Sequence, residues 1–330
     1  MRAGIVLAAA LAALGGNAWA QASPEAAGQP TIVDGPRVVA PEETPEPAVD
    51  QKRFGTREDA AYGAFQRGLY ITAFNLALPR ARDGDAAAQT LVAEIYARGL
   101  GVKRDEREAA KWYQAAAEQS VPEAQFQYAL MLIDGRFVEK DVDTAYALME
   151  DAANQGNGLA QFNFAQMLLD RGRGAEDEKR AADYFEQAAR ANVPDAQFAM
   201  AHILADGVGG RSVDLPAARE WLTRAARAGF DTAQVELGTW LVEGTGGKRD
   251  EPAGYAWIKA AAERGNIAAQ SRLAKLYYLG IGTEGDTELA AAWYVLARRA
   301  GLVDPMLDDL LDGLTDDERR AAIARANRLR

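Results

Sequence analysis

The 330-residue chain contains no cysteine and a single histidine, His202. Without cysteine there is no disulfide framework, no thiolate metal site and no thiol nucleophile. A Ser–His pair would have to use His202, yet none of Ser23, Ser120, Ser212 and Ser271 begins an S-x-x-K motif or has an evident triad partner. Long apolar runs are scarce too. Ile5–Leu14 spans ten residues, about half the ~20 that a membrane-crossing helix needs. Positive charge is also short, with 37 Lys and Arg against 48 Asp and Glu and a net charge of -11. Binding to phosphate backbones rests on cationic side chains that displace counterions, so nucleic acid is not an expected partner.

What is present begins with an export signal. Arg2 supplies a positive start, Ile5–Leu14 the apolar stretch, and Ala18-Trp19-Ala20 the small-x-small site, which places cleavage before Gln21. With no cysteine after that site and no later apolar span, residues 1–20 are expected to be removed, leaving a soluble periplasmic protein without membrane insertion. Residues 21–55 carry Pro24, Pro30, Pro36, Pro41, Pro45 and Pro47 among acids and few apolar side chains. Proline does not fit helix interiors and little apolar surface is available to bury, so a disordered linker is expected.

Then the chain repeats. Ala-Gln recurs six times, with glutamines at 89, 125, 161, 197, 234 and 270, spaced 36, 36, 36, 37 and 36 residues apart. Three and seven positions past each glutamine stand large apolar residues, such as Phe164 and Leu168 or Leu237 and Leu241, with a small residue four past it. That spacing predicts one buried face of an α-helix. Glycine turns such as Gly99-Leu100-Gly101 and Gly280-Ile281-Gly282 end the helix. An acid follows, at Asp105, Asp141, Asp177, Asp214, Asp250 or Asp286, placed to cap a second helix, and Asp105 with Glu108 makes a capping-box-like pair. The second helix carries bulky then small residues four apart: Trp112/Ala116, Leu148/Ala152, Tyr184/Ala188, Trp221/Ala225, Trp257/Ala261 and Trp293/Ala297. The bulky column is expected to fill the core. Gly254 stands where the other repeats have alanine and reads as tolerated variation.

These columns resemble the Sel1-like repeat, a relative of the tetratricopeptide repeat, most closely over Ala88–Gln119 and Ala269–Gly301. The resemblance implies an all-α fold, a right-handed superhelical α/α solenoid of helix pairs. Residues 86–301 form six repeats, and 56–85 a divergent N-terminal repeat that includes Tyr70–Asp85. Residues 302–330 form two capping helices, the second opened by Thr315 and Glu318.

Catalytic signals are thin, and no cofactor or metal is expected. Gly244-Thr245-Gly246-Gly247-Lys248 looks like a phosphate loop, but its glycines fall in the repeat's turn column and Arg249 follows the lysine. His202 sits in a variable surface column. What remains is a surface. Positions two, five and nine past the glutamine share a helix face outside the packing stripe. By resemblance, the first helices line the concave side, which makes Gln127, Asp134, Asn163, Gln166, Asp170, His202, Asp206 and Glu243 a candidate partner groove. Asp134, Asp170, Asp206 and Glu243 recur at one column, against the helix macrodipole. The expected function is noncatalytic binding of a protein or peptide with basic residues, as a scaffold or adaptor in the bacterial cell envelope. The alternatives are an envelope enzyme or carbohydrate-binding accessory using the same groove, or a secreted protein that acts on a host.

Overall fold

The aspartates and glycines at the ends of each helical stretch set its limits. The structure, a computed structural model, describes residues 59–172 and 174–329. The export signal with Ala18 and Ala20, the proline-rich segment 21–55 and residues 56–58 lie outside the described residues. The described residues form sixteen α-helices and no strand. They divide into two compact units, residues 59–167 and 168–329.

The first unit contains α1 (Ala60–Gln66), α2 (Tyr70–Arg82), α3 (Ala86–Arg98), α4 (Glu106–Ala117), α5 (Pro122–Asp134), α6 (Val142–Asn154) and most of α7 (Gly158–Arg171). From α1 to α6 each helix packs on the next. The second unit contains the end of α7, then α8 (Ala175–Arg190), α9 (Pro194–Asp206), α10 (Leu215–Arg227), α11 (Asp231–Glu243), α12 (Glu251–Glu263), α13 (Ile267–Leu279) and α14 (Thr287–Arg299). The same next-neighbour packing runs from α8 to α14, and α15 (Pro305–Asp312) and α16 (Asp316–Ala326) close on α14. This is an all-α solenoid of helix pairs. The helix α1 supplies a short first helix to the divergent pair, ahead of the expected Tyr70–Asp85.

The caps follow the sequence with two corrections. Asp105, Asp141, Asp214, Asp250 and Asp286 each accept backbone N–H bonds at the start of a second helix. Asp177 does not. The helix α8 starts at Ala175 after Gly174, so Asp177 lies inside the first turn, 4.0 Å from Arg180. Glu176, Asp177 and Glu178 together favour that early start, because negative charge is stabilised at a helix N-terminus. The Asp105–Glu108 pair forms only by half: the Glu108 N–H donates to the Asp105 carboxylate at 3.0 Å, but the return bond is missing. Glu108 turns to Lys111, and the Asp105 N–H donates to the Tyr96 carbonyl at 3.1 Å. The Thr315–Glu318 box is present as expected.

Core positions differ from expectation in the second helices. The deepest column is one residue beyond the tryptophans: Tyr113, Met149, Phe185, Leu222, Ile258 and Tyr294 are buried. Trp112, Leu148, Tyr184, Trp221 and Trp257 are only partly buried. One residue is about 100° of rotation, which turns the tryptophan away from the centre of its own pair. Trp112 lies between clusters, packing against the one formed by α1, α2 and α3 as well as the edge of its own pair. Trp293, beneath α15 and α16, is the buried exception. In the first helices the expected stripe is joined by a column one past the glutamine, with Phe126, Phe162, Phe198 and Val235 buried.

Gly254 is more than tolerated variation. A Cβ on it would lie 2.6 Å from the Gly238 carbonyl oxygen, and one on Gly238 3.0 Å from the Gly254 carbonyl oxygen. The helices α11 and α12 therefore approach closely enough to need both glycines. The phosphate-loop look-alike is a packed turn: Gly244 and Gly246 have φ of +83° and +70°, and Gly246 lies against the Leu215 carbonyl.

Candidate partner-binding face

The glutamine that marks each repeat also sets the register between repeats. The Nε2 of Gln89, Gln161, Gln197, Gln234 and Gln270 donates to the carbonyl eight residues earlier, at 3.1, 3.1, 3.3, 2.9 and 3.4 Å. The acceptors, Ala81, Ala153, Ala189, Ala226 and Ala262, lie in the last turn of the preceding second helix, where each carbonyl also accepts the backbone N–H three residues on and has a lone pair to spare for the amide. The Oε1 of Gln89 and of Gln125 accepts from Gln119 and Gln155, each at 2.8 Å, and Arg264 donates to that of Gln234. The same polar link thus seats successive first helices in one register. The Ala-Gln period was visible in the sequence, but this role was not.

That register makes equivalent columns meet laterally. In the second unit, His202 on α9 lies 3.1 Å from Glu236 on α11, and Arg272 on α13 donates to Thr239 on α11 at 2.8 Å. Each contact joins position five of one repeat to position two of the next. These two columns are therefore partly sealed between neighbouring helices and not wholly outside the packing, as the burial of Leu91 and Ala199 also shows. His202 is half-buried, edge-on to Phe198 with ring centroids 4.6 Å apart. Burial pulls its pKa down, but the Glu236 hydrogen bond and the charges of Glu236 and Asp206 outweigh that and hold it above the usual histidine range. Glu236 and Thr239 escaped the sequence reading because their role appears only when adjacent repeats are paired.

The remaining candidates separate into two kinds. In the first unit, Gln127 is half-buried and donates to Glu123 at 3.1 Å, and Asn163 donates back to the Leu159 carbonyl at 2.8 Å. Gln166 is half-buried on the same helix as Asn163. All three are polar helix-surface groups, and two of them are occupied locally. The position-nine acids differ. Asp134 in the first unit, and Asp170, Asp206 and Glu243 in the second, are exposed in the last turn of their helices. None makes a hydrogen bond or ion pair with a described residue. On α13 the same column holds Leu279, also exposed. Among the described residues no group of three His, Asp or Glu side chains could hold a metal ion, and no helix is long and apolar enough to cross a membrane.

The Sel1 repeat family pattern matches residues 86–121, 122–157, 158–193, 194–230, 232–266 and 267–302. The chain belongs to the Sel1 repeat family. Sel1 repeats commonly mediate protein interactions and are generally noncatalytic. A Sel1 repeat protein from Oxalobacter formigenes is 25% identical with a TM-score of 0.61, over 74% of this chain and 97% of that one. A protective antigen of uropathogenic Escherichia coli, displaying an SLR fold, is 26% identical with a TM-score of 0.55, over 79% of this chain. This chain spans 64% of that antigen's length. No curated protein matches.

Proposed function

We propose that this Sel1 repeat protein is a noncatalytic scaffold of the bacterial cell envelope, which binds a protein or peptide segment rich in basic residues on the face of its first helices. One observation carries the proposal: Asp134, Asp170, Asp206 and Glu243 are exposed and unpaired at equivalent helix ends. An acid in the last turn opposes the macrodipole at a cost of roughly 0.3–1 kcal/mol each. Neither folding nor an internal ion pair accounts for a feature repeated at that cost. A basic partner does, because such acids raise its association rate and select its charge. The envelope setting is supported by the Ala18-Trp19-Ala20 cleavage pattern.

Crosslinking in intact cells, followed by affinity purification from the periplasmic fraction, identifies the partner. The recovered chain should begin at Gln21. Association of that partner is then compared between the wild type and Asp134→Asn, Asp170→Asn and Asp206→Asn combined. These changes keep shape and remove charge, so the circular dichroism melt should be retained while association slows and loses its salt dependence. Unchanged affinity with unchanged salt dependence would reduce the acids to a solvated face.

A further inference from the structure

The lateral contact between the fourth and fifth repeats differs in kind from the one that follows it. His202 on α9 meets Glu236 on α11 at 3.1 Å, and each side chain is only 24% exposed. The ring is tied to α11 a second time. It lies edge to face with Phe198, and Phe198 packs on Phe230, the residue just before α11, with ring centroids 5.0 Å apart. One repeat on, Arg272 meets Thr239, a pair whose charge does not change near neutral pH. His202 is the chain's single histidine, and histidine is the side chain whose ordinary titration falls at roughly pH 5 to 8.

We infer that His202 and Glu236 form a pH-sensitive clasp between α9 and α11, which tightens when the ring takes up a proton. A neutral ring can already donate its Nε2–H to the carboxylate. A protonated ring adds the attraction of opposite charges, and a pair this sheltered from water is weakly screened. Burial favours the neutral ring, but the Glu236 hydrogen bond and the charges of Glu236 and Asp206 outweigh it. Glu236 comes from α11 and Asp206 from α9 itself. Among the described residues, α8 and α10, which also pack on α9, add no charge that acts on the ring. The proton is therefore held more firmly in the closed joint than in an open one, where the ring keeps its ordinary pKa of about 6.5. The added stability is complete below that value and is lost as the pH rises through the higher pKa of the closed joint.

NMR titration of the His202 ring in the full chain, with amide hydrogen exchange at about pH 6 and about pH 8, tests this. The ring should titrate above about 6.5. Exchange in α9 and α11, corrected for its intrinsic pH dependence, should be severalfold slower at the lower pH. Exchange in α3 and α4 should show no such difference. Glu236→Gln keeps the shape of the joint and removes its charge, so the ring's pKa should fall and the difference in α9 and α11 should vanish. His202→Gln should remove that difference as well, while circular dichroism shows the helices retained. A ring that titrates at or below its ordinary value overturns the clasp. So does corrected exchange in α9 and α11 that is equal at the two pH values, or a difference that survives in both variants. The wild-type titration and exchange decide the matter even if a variant folds poorly.

Discussion

At the scale of single residues, Gly238 and Gly254 hold α11 and α12 in close contact, and this makes an unusual sign prediction. Gly→Ala in a helix ordinarily gains about 1 kcal/mol. Gly254→Ala should lose stability, because its methyl would lie 2.6 Å from the Gly238 carbonyl oxygen and 3.1 Å from the Val242 nitrogen. Those are backbone atoms that cannot swing aside. Overpacking costs roughly 1–3 kcal/mol and more when backbone must move, which should exceed the propensity gain. Gly63→Ala is the control, since nothing lies within 4 Å of an added Cβ there. Urea melts should show Gly63→Ala stabilised and Gly254→Ala destabilised, and the close approach is refuted if both move the same way. The column of alanines concealed this: Gly254 is a single departure in sequence, and its reason, Gly238, lies sixteen residues earlier in a different column.

At the scale of the element, caps and not composition decide where helices begin. Asp214 accepts from the Ala217 N–H at 3.0 Å, whereas Asp177 stands inside its helix. Asp214→Ala should therefore cost roughly 0.5–2 kcal/mol. Asp177→Ala removes no cap bond, only one of three first-turn charges, and should cost less, roughly 0.3–1 kcal/mol. Chemical denaturation of the two variants separates them, and equal losses would put Asp177 back at a cap. Helix type, order and the repeat's length were all legible in the sequence, because a period of apolar residues, glycine stops and aspartate starts each report local physics. The depth of a column was not. Tryptophan marked the repeat but Ile258, its neighbour, carries the core, since a 100° rotation decides which one meets the next helix and no local signal encodes that. The acids of the proposed binding face were legible as a column, while the contacts of Glu236 and Thr239 depend on which repeats are adjacent.

At the scale of the whole molecule, α15 and α16 close the last repeat. Leu307, Leu310 and Ala326 cluster with Trp293 and Tyr294, which explains why that tryptophan alone of its column is buried. Ending the chain at Gly301 should uncover both aromatic rings. Stability in repeat arrays is a sum over neighbouring interfaces, so the damage should stay local. Hydrogen exchange should quicken roughly tenfold or more in α13 and α14 and remain unchanged in α3 and α4. Uniform quickening would mean that the array behaves as one cooperative block. The glutamine links carry a different consequence. Because the same amide donor meets the same alanine carbonyl at each of five junctions, one helix pair can follow another without a new interface being invented. A duplication or loss of one whole repeat between two of those five junctions rejoins parts that already carry the same donor and acceptor. The length of such a protein is thus free to drift in whole repeats while its fold stays fixed.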